Sequence, residues 1–382
     1  MAVGIICEYN PFHNGHLYHL NKVKELANGE EIILILGGNF LQRGNLSIIN
    51  KYDKTKIALE YGINLVVELP FQYATQSSDL FAKGAISTLK KLKCNKLIFG
   101  SESANIELFK QLAKIQLNDK EYNKRIKRYL KDGLNYPTAL SRALKDFSNF
   151  TIIEPNDILA LSYIKEIISQ NVDIVPLAIK RTNNYHDTQL NNEISSATSI
   201  RKAIKELKDI KNYVPNITLE YLKKENWENN YFNFLKYKII TEKNNLNKYQ
   251  TVDEGIENRI LKGIYNSNNL EELINIVKTK RYTYNKINRM FTHILCSFTK
   301  EEAKKNKELK YIRILGFDNI GKKYLNSIKR ECNIPIITNI KKENIDLLSL
   351  ELKCDSIYNL VMNDNTELFK QKPIIKNDTN LI

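Results

Sequence analysis

Short apolar runs alternate with longer amphipathic stretches through the first half of the chain. The apolar runs are residues 3–7, 31–36, 65–69, 96–99 and 173–178. Stretches whose apolar positions follow a helical period lie between them, at residues 16–26, 53–61 and 79–92. This alternation predicts βαβ units that build a parallel sheet in an α/β fold. Because such sheets bind ligands beyond the carboxyl ends of their strands, the loops that follow the strands are the candidate binding segments.

The pattern changes in the second half of the chain. Residues 206–306 are mostly helical in pattern, whereas residues 308–340 return to strand, helix and strand. Residues 363–382 are polar with little periodicity, which predicts a partly flexible tail. The sequence therefore predicts a Rossmann-like parallel-sheet domain over 1–205, a mainly helical region from 206, and a small C-terminal α/β module over 307–382.

Length and composition narrow the class of protein. The chain has 382 residues, enough for two or three domains, and no apolar run approaches the roughly 20 residues that span a bilayer. The absence of a leader pattern predicts a cytoplasmic protein without membrane contact. A net charge of +15 favours polyanionic partners, although a lysine-rich composition by itself gives the same excess.

The cysteines do not indicate a metal or redox module. They are Cys7, Cys94, Cys296, Cys332 and Cys354. None of them is paired at the spacing of zinc ligands or of a redox motif, so the sequence predicts free thiols in a reducing compartment.

The most specific motif follows the first predicted strand. It reads EYNPFHNGH over residues 8–16 and leads into the first predicted helix. Pro11 interrupts the strand, and Gly15 allows a ligand to approach the backbone closely. His13 and His16 are three residues apart, so they share one face once the helix has begun. Two imidazoles beside the N–H groups and positive dipole end of a helix predict a phosphate site.

Two further loops after predicted strands carry candidate contacts. Gly38, Asn39 and Arg43 lie in a glycine-rich loop after the second strand, where Arg43 is the residue best suited to meet an anion. Gly100 ends the fourth strand, at a position where a nucleotide could lie against the backbone. An ordinary strand–helix turn is the alternative interpretation of the first loop.

Polar residues near the end of the first predicted domain are further candidate ligand contacts. Asn156 is placed like a helix N-cap, and Arg181 follows the fifth predicted strand, where a basic residue is well placed for phosphate. Ser195, Ser196 and Thr198 open another predicted helix and supply hydroxyl groups at its start. A plain helix cap is the alternative at Asn156 and at the serines.

Taken together, these motifs resemble those of the nucleotidyltransferase superfamily, which is related to the class I aminoacyl-tRNA synthetases. Residues 13–16 resemble its HxGH signature, and residues 194–201 resemble its ISSTxxR phosphate-binding motif. Over most of the chain, the order of motifs is similar to that of the bacterial tRNA(Met) cytidine acetate ligases. Gly37, where that family often has Ser, and the Asn-Leu-Ser at 45–47, in place of Glu-Pro-Ala, depart from its pattern.

The resemblance implies a function and a set of site residues. It implies a ligase that uses ATP and Mg²⁺ to form acetyl-adenylate from acetate, and that transfers the acetyl group to N4 of the wobble cytidine of elongator tRNA(Met). His13 and His16 would stabilise the reaction centre at the α-phosphate. The implied ATP-binding residues are Ile6, Cys7, Glu8, Tyr9, Asn10, Pro11, Phe12, His13, Asn14, Gly15, His16, Leu17, Tyr18, His19, Gly100, Asn156, Arg181, Ser195, Ser196 and Thr198. The sequence identifies no magnesium ligand.

A basic and aromatic segment in the helical region is the candidate tRNA surface. It spans residues 278–289, and a second basic stretch lies at 124–128. Lys and Arg neutralise phosphates and Tyr stacks on unpaired bases. The candidate tRNA contacts are Lys280, Arg281, Tyr282 and Arg289. A solvated helix face is the alternative for both stretches.

Two other functions are compatible with parts of this pattern. An adenylyltransferase acting on a phosphate-bearing metabolite fits the first domain but has no need of a long basic helical region. A tRNA-binding protein with a degenerate nucleotide site fits the basic surface, but the intact set of His13, His16 and Arg181 argues against it.

Overall fold

A single mixed sheet runs through the protein. The computed structural model describes residues 1–148, 152–181, 195–222, 227–368 and 370–377. The strands are β1 (Ala2–Cys7), β2 (Glu31–Gly37), β3 (Leu65–Leu69), β4 (Lys96–Ser101), β5 (Val175–Lys180), β6 (Ile312–Asp318), β7 (Ile336–Ile337) and β8 (Ile374–Lys376). Their order is β5-β4-β1-β2-β3-β6-β7, and β8 also pairs with β6. Strands β1 to β5 pair in parallel, which confirms the predicted parallel sheet.

Helices cover both faces of this sheet. In the first half they are α1 (Asn14–Ala27), α2 (Lys51–Glu60), α3 (Phe71–Ala74), α4 (Ser78–Lys91), α5 (Ile106–Asn118), α6 (Lys120–Lys131), α7 (Tyr136–Ser148), α8 (Pro155–Ser169) and α9 (Ala197–Lys205). Residues 32–36 of β2 are all buried, as expected for a central strand with both faces covered.

The predicted helical region is confirmed. Its helices are α10 (Asn216–Tyr221), α11 (Trp227–Thr241), α12 (Ile256–Ile264), α13 (Leu270–Val277), α14 (Tyr284–Leu295) and α15 (Lys300–Lys305). On α14, Ile287, Phe291 and Ile294 recur at helical spacing and are completely buried. No helix within the described ranges is long and apolar enough to cross a membrane.

The C-terminal segment adds its strands to the N-terminal sheet. It contains α16 (Asn319–Ile328) and α17 (Ser349–Val361) besides β6, β7 and β8. Strand β6 pairs antiparallel with β3 and places Arg313 opposite Glu68. The predicted strand–helix–strand unit is therefore present, but it shares one sheet with the first domain. The boundaries of the three predicted domains stay a prediction.

A close contact joins the helical region to the loop after β2. Gly44 has a φ of 81°, and a Cβ at this position would come within 2.3 Å of the backbone nitrogen of Arg289 in α14. The Thr292 hydroxyl donates a hydrogen bond to the Gly44 carbonyl at 2.6 Å. The glycine-rich loop therefore lies against α14, and only a glycine fits at Gly44.

A buried cluster of charged side chains connects α2, β3, β6 and α17. Lys51 Nζ lies 2.7 Å from Glu68 Oε1 and 2.7 Å from Asp355 Oδ2. Arg313 lies 3.5 Å from Glu68 and 3.6 Å from Asp355, so each carboxylate faces two cations. Asn39 donates to Asp355 at 3.0 Å. Because the side chains are almost fully buried, each charge depends on its partners for compensation.

We expect Lys51→Met to lower the free energy of unfolding by about 3–5 kcal/mol, since it leaves Glu68 and Asp355 buried with one cation between them. Urea unfolding of the variant and the wild type measures this difference. The control is Lys305→Met, which removes one member of the exposed pair with Glu301 and should not change stability measurably. A Lys51→Met variant as stable as the control would show that the cluster does not need its lysine.

Candidate active site

The HxGH motif lies between the first strand and the first helix, as predicted. Strand β1 ends at Cys7 and α1 begins at Asn14. In the turn between them, Tyr9 has a φ of 48° and the Asn10–Pro11 peptide bond is cis. Phe12 is fully buried and stacks on Tyr61 at 5.1 Å between ring centroids, which fixes the turn to the core.

His13 and His16 cap the start of α1 reciprocally. His13 is the N-cap residue, and its Nδ1 accepts a hydrogen bond from the Gly15 amide at 3.0 Å. The amide of His13 donates in turn to Nδ1 of His16 at 3.3 Å. This is a capping box made by two imidazoles, and it requires the spacing of three residues that the sequence shows. The two ring centroids are 3.8 Å apart.

These hydrogen bonds define the chemistry of the two rings. A backbone amide only donates, so both Nδ1 atoms are acceptors and the ring proton of each neutral imidazole lies on Nε2. Burial, with Arg181 and Arg201 nearby, lowers the pKa of His13 to about 3. Burial and the neighbouring His13 hold the pKa of His16 well below its ordinary value. The pair therefore offers two uncharged N–H donors near neutral pH.

The amide groups at the start of α1 are already paired. Gly15 donates to His13, and the Asn14 amide donates to the Tyr213 carbonyl at 3.0 Å. The Asn14 side chain donates to the Asn212 carbonyl at 2.9 Å. The expectation that unpaired N–H groups of this helix bind phosphate is therefore wrong for these two amides, and the imidazoles are the donors that this end of α1 presents.

The ends of β4 and β5 form a second wall of the site. Gly100 in β4 packs on Arg181, whose Cγ lies 3.6 Å from where a Cβ of Gly100 would stand. The Nε atom of Arg181 is 3.9 Å from a carboxylate oxygen of Glu102. The same carboxylate accepts from the Asn156 side chain at 2.5 Å and from the Asp157 amide at 3.0 Å. Glu102 thus positions both Arg181 and Asn156.

Asn156 is not the cap of its helix. Helix α8 begins at Pro155 with Glu154 as its N-cap, so Asn156 is the second helical residue and its side chain binds Glu102 instead. Pro at the first helical position explains the offset, because its fixed φ suits that place and it needs no N–H partner.

The start of α9 lies beside the HxGH turn. Ser196 is the N-cap and accepts from the Ser199 amide at 3.1 Å, as the serine motif predicts. Arg201 donates to the Asn10 carbonyl at 2.7 Å and to the Thr198 hydroxyl at 3.2 Å. Arg201 therefore connects the two motifs that the sequence places at opposite ends of the first domain.

A cavity of about 1010 Å³ lies beyond the carboxyl ends of these strands. Its wall includes most of the residues that the sequence analysis predicts: Ile6, Cys7, Glu8, Tyr9, Asn10, His13, Gly15, His16, Tyr18, His19, Arg43, Gly100, Asn156, Arg181, Ser195, Ser196, Thr198, Arg281 and Arg289. The cavity thus extends from the HxGH turn to α14 of the helical region. The binding role of each residue stays a prediction.

Eight predicted residues do not line this cavity. They are Pro11, Phe12, Asn14, Leu17, Gly38, Asn39, Lys280 and Tyr282. Asn39 is 3% exposed and binds Asp355 and the Lys51 amide, so it is part of the buried charge cluster. A Cβ at Gly38 would come within 2.8 Å of the Glu68 carboxylate, so this glycine makes room for the same cluster. Of that loop's three candidates, Arg43 alone is in the cavity wall.

Tyr282 belongs to the core of the helical region. Its side chain is 3% exposed and its hydroxyl donates to the Asp253 carbonyl at 2.7 Å. Lys286 lies over its ring at 3.7 Å from the centroid. The prediction that Tyr282 stacks on an unpaired base is contradicted by this burial, because base stacking needs an accessible ring face.

Sequence reasoning missed Lys54, a residue that holds the site together. Lys54 Nζ donates to the carbonyl groups of Glu8, Gly37 and Gly38 at 2.9, 2.7 and 2.8 Å, which fixes the end of β1 to the end of β2. The three acceptors match the three N–H groups of an ammonium. In the sequence, Lys54 lies among other polar residues of α2, and this pattern does not indicate a buried lysine.

The class of protein follows from the match of this chain to a known family. A family model described as HIGH Nucleotidyl Transferase matches residues 1–372. The paired histidines at the start of α1 and the parallel sheet agree with that class.

More specific relatives and solved structures cover nearly the whole chain. A tRNA(Met) cytidine acetate ligase of Geobacillus sp. is 40% identical over 94% of this chain and 91% of its own. The protein of the same name from Caldicellulosiruptor saccharolyticus is 40% identical over 98% of each chain. The crystal structure of apo Thermotoga maritima TmcAL has a TM-score of 0.90 at 29% identity, covering 98% of this chain and 99% of that one. The structure of TmcAL with alpha-thio ATP has a TM-score of 0.87 at 28% identity, with the same coverage. The chain therefore belongs to the HIGH nucleotidyl transferases and, among them, to the tRNA(Met) cytidine acetate ligases.

We expect His13→Asn to make the stability of the protein less dependent on pH. As pH falls below the ordinary histidine pKa of 6.5, the unfolded chain takes up a proton that the folded His13 refuses down to about pH 3, so stability is lost across that window. The loss amounts to about 1.4 kcal/mol per pH unit for one such group. Asn preserves the cap, because its side-chain oxygen also accepts from the Gly15 amide.

Urea unfolding at about pH 7 and about pH 5 measures this difference between wild type and variant. The variant should lose less free energy of unfolding on acidification. An equal loss in both proteins would show that His13 is not held neutral in the folded state.

Proposed function

We propose that this protein joins acetate and ATP to form acetyl-adenylate, and then transfers the acetyl group to N4 of the wobble cytidine of elongator tRNA(Met). The name shared by its relatives supports this reaction, and the alpha-thio ATP bound to the TmcAL neighbour supports ATP as the nucleotide. The observation that carries the proposal is one cavity that joins the imidazole pair to Arg289 of the helical region.

The side chains that line the cavity near the HxGH turn suit the first half-reaction. Acetate is ionised at pH 7, since a carboxylate pKa lies near 4, so its attack on the α-phosphate needs no general base. It needs alignment and stabilisation of the charge that develops on the phosphoryl oxygens. The Nε2–H groups of His13 and His16 and the guanidinium of Arg181 supply such donors. The mixed anhydride must be shielded from water until the RNA arrives.

The residues that line this part of the cavity are also the candidate ATP contacts. We assign the nucleotide to the predicted residues other than Glu8 that line the cavity from the HxGH turn to Gly100, Asn156 and Arg181, with the hydroxyl groups of Ser196 and Thr198 at the start of α9. Glu8 is left out because a carboxylate repels the phosphates of ATP. Phe12, Pro11 and Leu17 shape the turn from the core side, so we give them no direct contact with ATP.

The described residues do not form a protein site for magnesium. They contain no group of three or more His, Cys, Asp or Glu side chains placed to hold a metal ion. The cavity wall in the described part of the chain has just the carboxylates of Glu8 and Asp79, and Asp79 already binds Lys165. This donor set does not fit a magnesium ion held by the protein, and we assign it no step.

Helix α6, which carries the second basic stretch, contacts residues 278–289 through Leu130. Arg281 donates to the Leu130 carbonyl at 3.0 Å and pairs with Glu254 at 3.0 Å. The Asn135 side chain reaches the Lys280 carbonyl at 3.5 Å. We propose that basic helix α6 and residues 278–289 together contact tRNA phosphates.

Incubation with ATP, labelled acetate and bulk tRNA, without coenzyme A, tests the function. We expect label in one tRNA species and none without ATP. Charge reversal in the double variant Lys280→Glu, Arg281→Glu should weaken tRNA binding. It should also lower the slope of log affinity against log salt by about 1 for each phosphate that the protein no longer neutralises.

The matched control is the double variant Lys329→Glu, Arg330→Glu. Both residues are exposed, and the neighbouring Glu331 pairs with Lys93 at the opposite edge of the sheet. This variant has the same change in charge and should bind tRNA more tightly than the first. Equal affinity and salt slope in the two variants would remove the tRNA surface from the proposal. Absence of label in the wild type would overturn the acetate ligase itself and favour a phosphate-bearing metabolite as AMP acceptor.

A further inference from the structure

The transfer step releases a proton that must be accepted. The reaction is the second half of the proposed function, on which this inference rests. N4 of cytidine attacks the acetyl carbon, so a C–N bond forms while the bond from that carbon to the phosphate oxygen breaks. AMP leaves as an anion and needs no proton. The proton that N4 loses therefore requires a base near the acetyl group.

The two capping imidazoles are unsuited to this task. The Nδ1 atoms of His13 and His16 already accept backbone hydrogen bonds, and their Nε2 atoms carry the ring protons. Neither ring has a lone pair available to take a proton from N4. Burial and the nearby Arg181 lower the pKa of His19, on the next turn of α1, to about 4, which makes this ring a weak base on the nucleotide side.

Two carboxylates line the cavity among the described residues, and they differ in their partners. Asp79 forms an ion pair with Lys165 and accepts from the Ser162 hydroxyl at 3.2 Å. Oε1 of Glu8 accepts a hydrogen bond from the backbone amide of Gln42 at 2.6 Å, and no described group donates a hydrogen bond to Oε2. Glu8 therefore has an oxygen with lone pairs available to a substrate, whereas Asp79 is engaged with a cation.

Backbone contacts hold Glu8 firmly at the end of β1. Lys54 binds its carbonyl at 2.9 Å together with the carbonyls of Gly37 and Gly38. A Cβ at Gly37 would lie 3.3 Å from Glu8 Cγ, so the glycine gives this side chain its space. The carboxylate is thus carried by a rigid strand end and held by one defined hydrogen bond to Gln42, as a positioned base requires.

Glu8 also stands between the nucleotide side and the RNA side of the cavity. The backbone N–H of Gln42 donates a hydrogen bond to Glu8. The carbonyl of the same residue accepts a hydrogen bond from Arg289 of α14 at 3.4 Å. Arg201, which binds the Asn10 carbonyl beside the HxGH turn, is near enough to influence the Glu8 carboxylate. The acetyl group must pass from one side to the other, and Glu8 is the carboxylate between them.

We propose that Glu8 is the general base of acetyl transfer, accepting the proton from N4 of the cytidine at Oε2 as the C–N bond forms. The proton then passes to solvent when the products leave. This role places Glu8 in the second half-reaction and outside the ATP contacts, so Glu8 is necessary for acetyl transfer and dispensable for adenylation.

The charged surroundings of Glu8 determine how the step depends on pH. Burial raises the pKa of Glu8 above its ordinary 4.5, while the hydrogen bond from Gln42 and the charges of Lys54, Arg43 and Arg201 act in the opposite direction. Burial also lowers the pKa of Lys54 to about 7, so this neighbour loses part of its charge near neutral pH. From α8, Tyr163 faces the same carboxylate, and burial raises its own pKa, so it is neutral. Because the base must be ionised, the transfer rate should rise with pH through the pKa of Glu8 and then level off.

The test separates the two half-reactions in Glu8→Gln. Gln has the same shape and its side-chain oxygen still accepts from Gln42, but it cannot take up the proton. Adenylation is measured by acetate-dependent exchange of pyrophosphate into ATP, and transfer by single-turnover labelling of tRNA across a pH series. We expect exchange to stay within about twofold of wild type and transfer to fall by about 10²- to 10⁴-fold, with loss of its rise with pH.

Two further variants complete the design. Glu8→Asp retains a carboxylate and should recover part of the transfer rate together with its rise with pH. Asp79→Asn makes the same chemical change at the carboxylate that is paired with Lys165, and should leave transfer near the wild-type rate.

Transfer at the wild-type rate in Glu8→Gln would overturn the assignment. An equal loss of exchange and transfer in Glu8→Gln would also overturn it, because Glu8 would then serve the nucleotide site. A wild-type protein without acetate-dependent exchange would instead overturn the proposed function, and this result is distinct because it is seen without any substitution.

Discussion

The reciprocal hydrogen bonds between His13 and His16 are the constraint on which the site depends. A helix start leaves amide groups without partners, and here two imidazoles satisfy two of them. The same bonds orient both rings and leave their protons on Nε2. One local interaction therefore ends the loop, starts α1 and places two uncharged imidazoles in the cavity wall. Replacing either ring changes the start of the helix and the chemistry together.

Lysine and arginine side chains assemble the sheet edge around this helix start. Lys54 joins the ends of β1 and β2 through three carbonyl groups, and Lys51 brings Asp355 of the C-terminal segment onto the same helix, α2. Arg201 fixes the start of α9 to the turn before His13. Lys51 and Lys54 are fully buried and Arg201 is partly exposed, and all three hold strand ends or loops in place. The cavity consequently has a rigid nucleotide wall and a second wall, from α14, that the Gly44 contact holds against it.

Patterns that depend on local spacing can be predicted from the sequence, and pairings between distant residues cannot. The parallel strands, the helical region and the histidine motif all follow from periodicity or from a short motif. The antiparallel pairing of β6 with β3 depends on Arg313 meeting Glu68 and Asp355 across the fold, which no local pattern reveals. For the same reason Lys54 looks like a solvated helix residue in the sequence.

The candidate site shows the same division. Asn39 is a residue type that suits a ligand-binding loop, and Tyr282 is one that suits RNA contacts. Both side chains are buried, and they form hydrogen bonds with Asp355 and with the Asp253 carbonyl. Residue type indicates what a side chain can bind, and burial decides whether a ligand can reach it. The predicted residues that line the cavity include Gly100 and Arg181 at strand ends, Arg43 and Arg281 in loops, and Arg289 in α14.

Acetate-dependent exchange of labelled pyrophosphate into ATP by His16→Ala tests whether the histidine pair stabilises the reaction centre. We expect a loss of about 10²- to 10³-fold relative to wild type, because one of the two uncharged donors at the reaction centre is removed. Lys22→Ala, on the exposed face of the same helix, should exchange like wild type. A folded His16→Ala protein that exchanges pyrophosphate at the wild-type rate would contradict the catalytic role of the histidine pair.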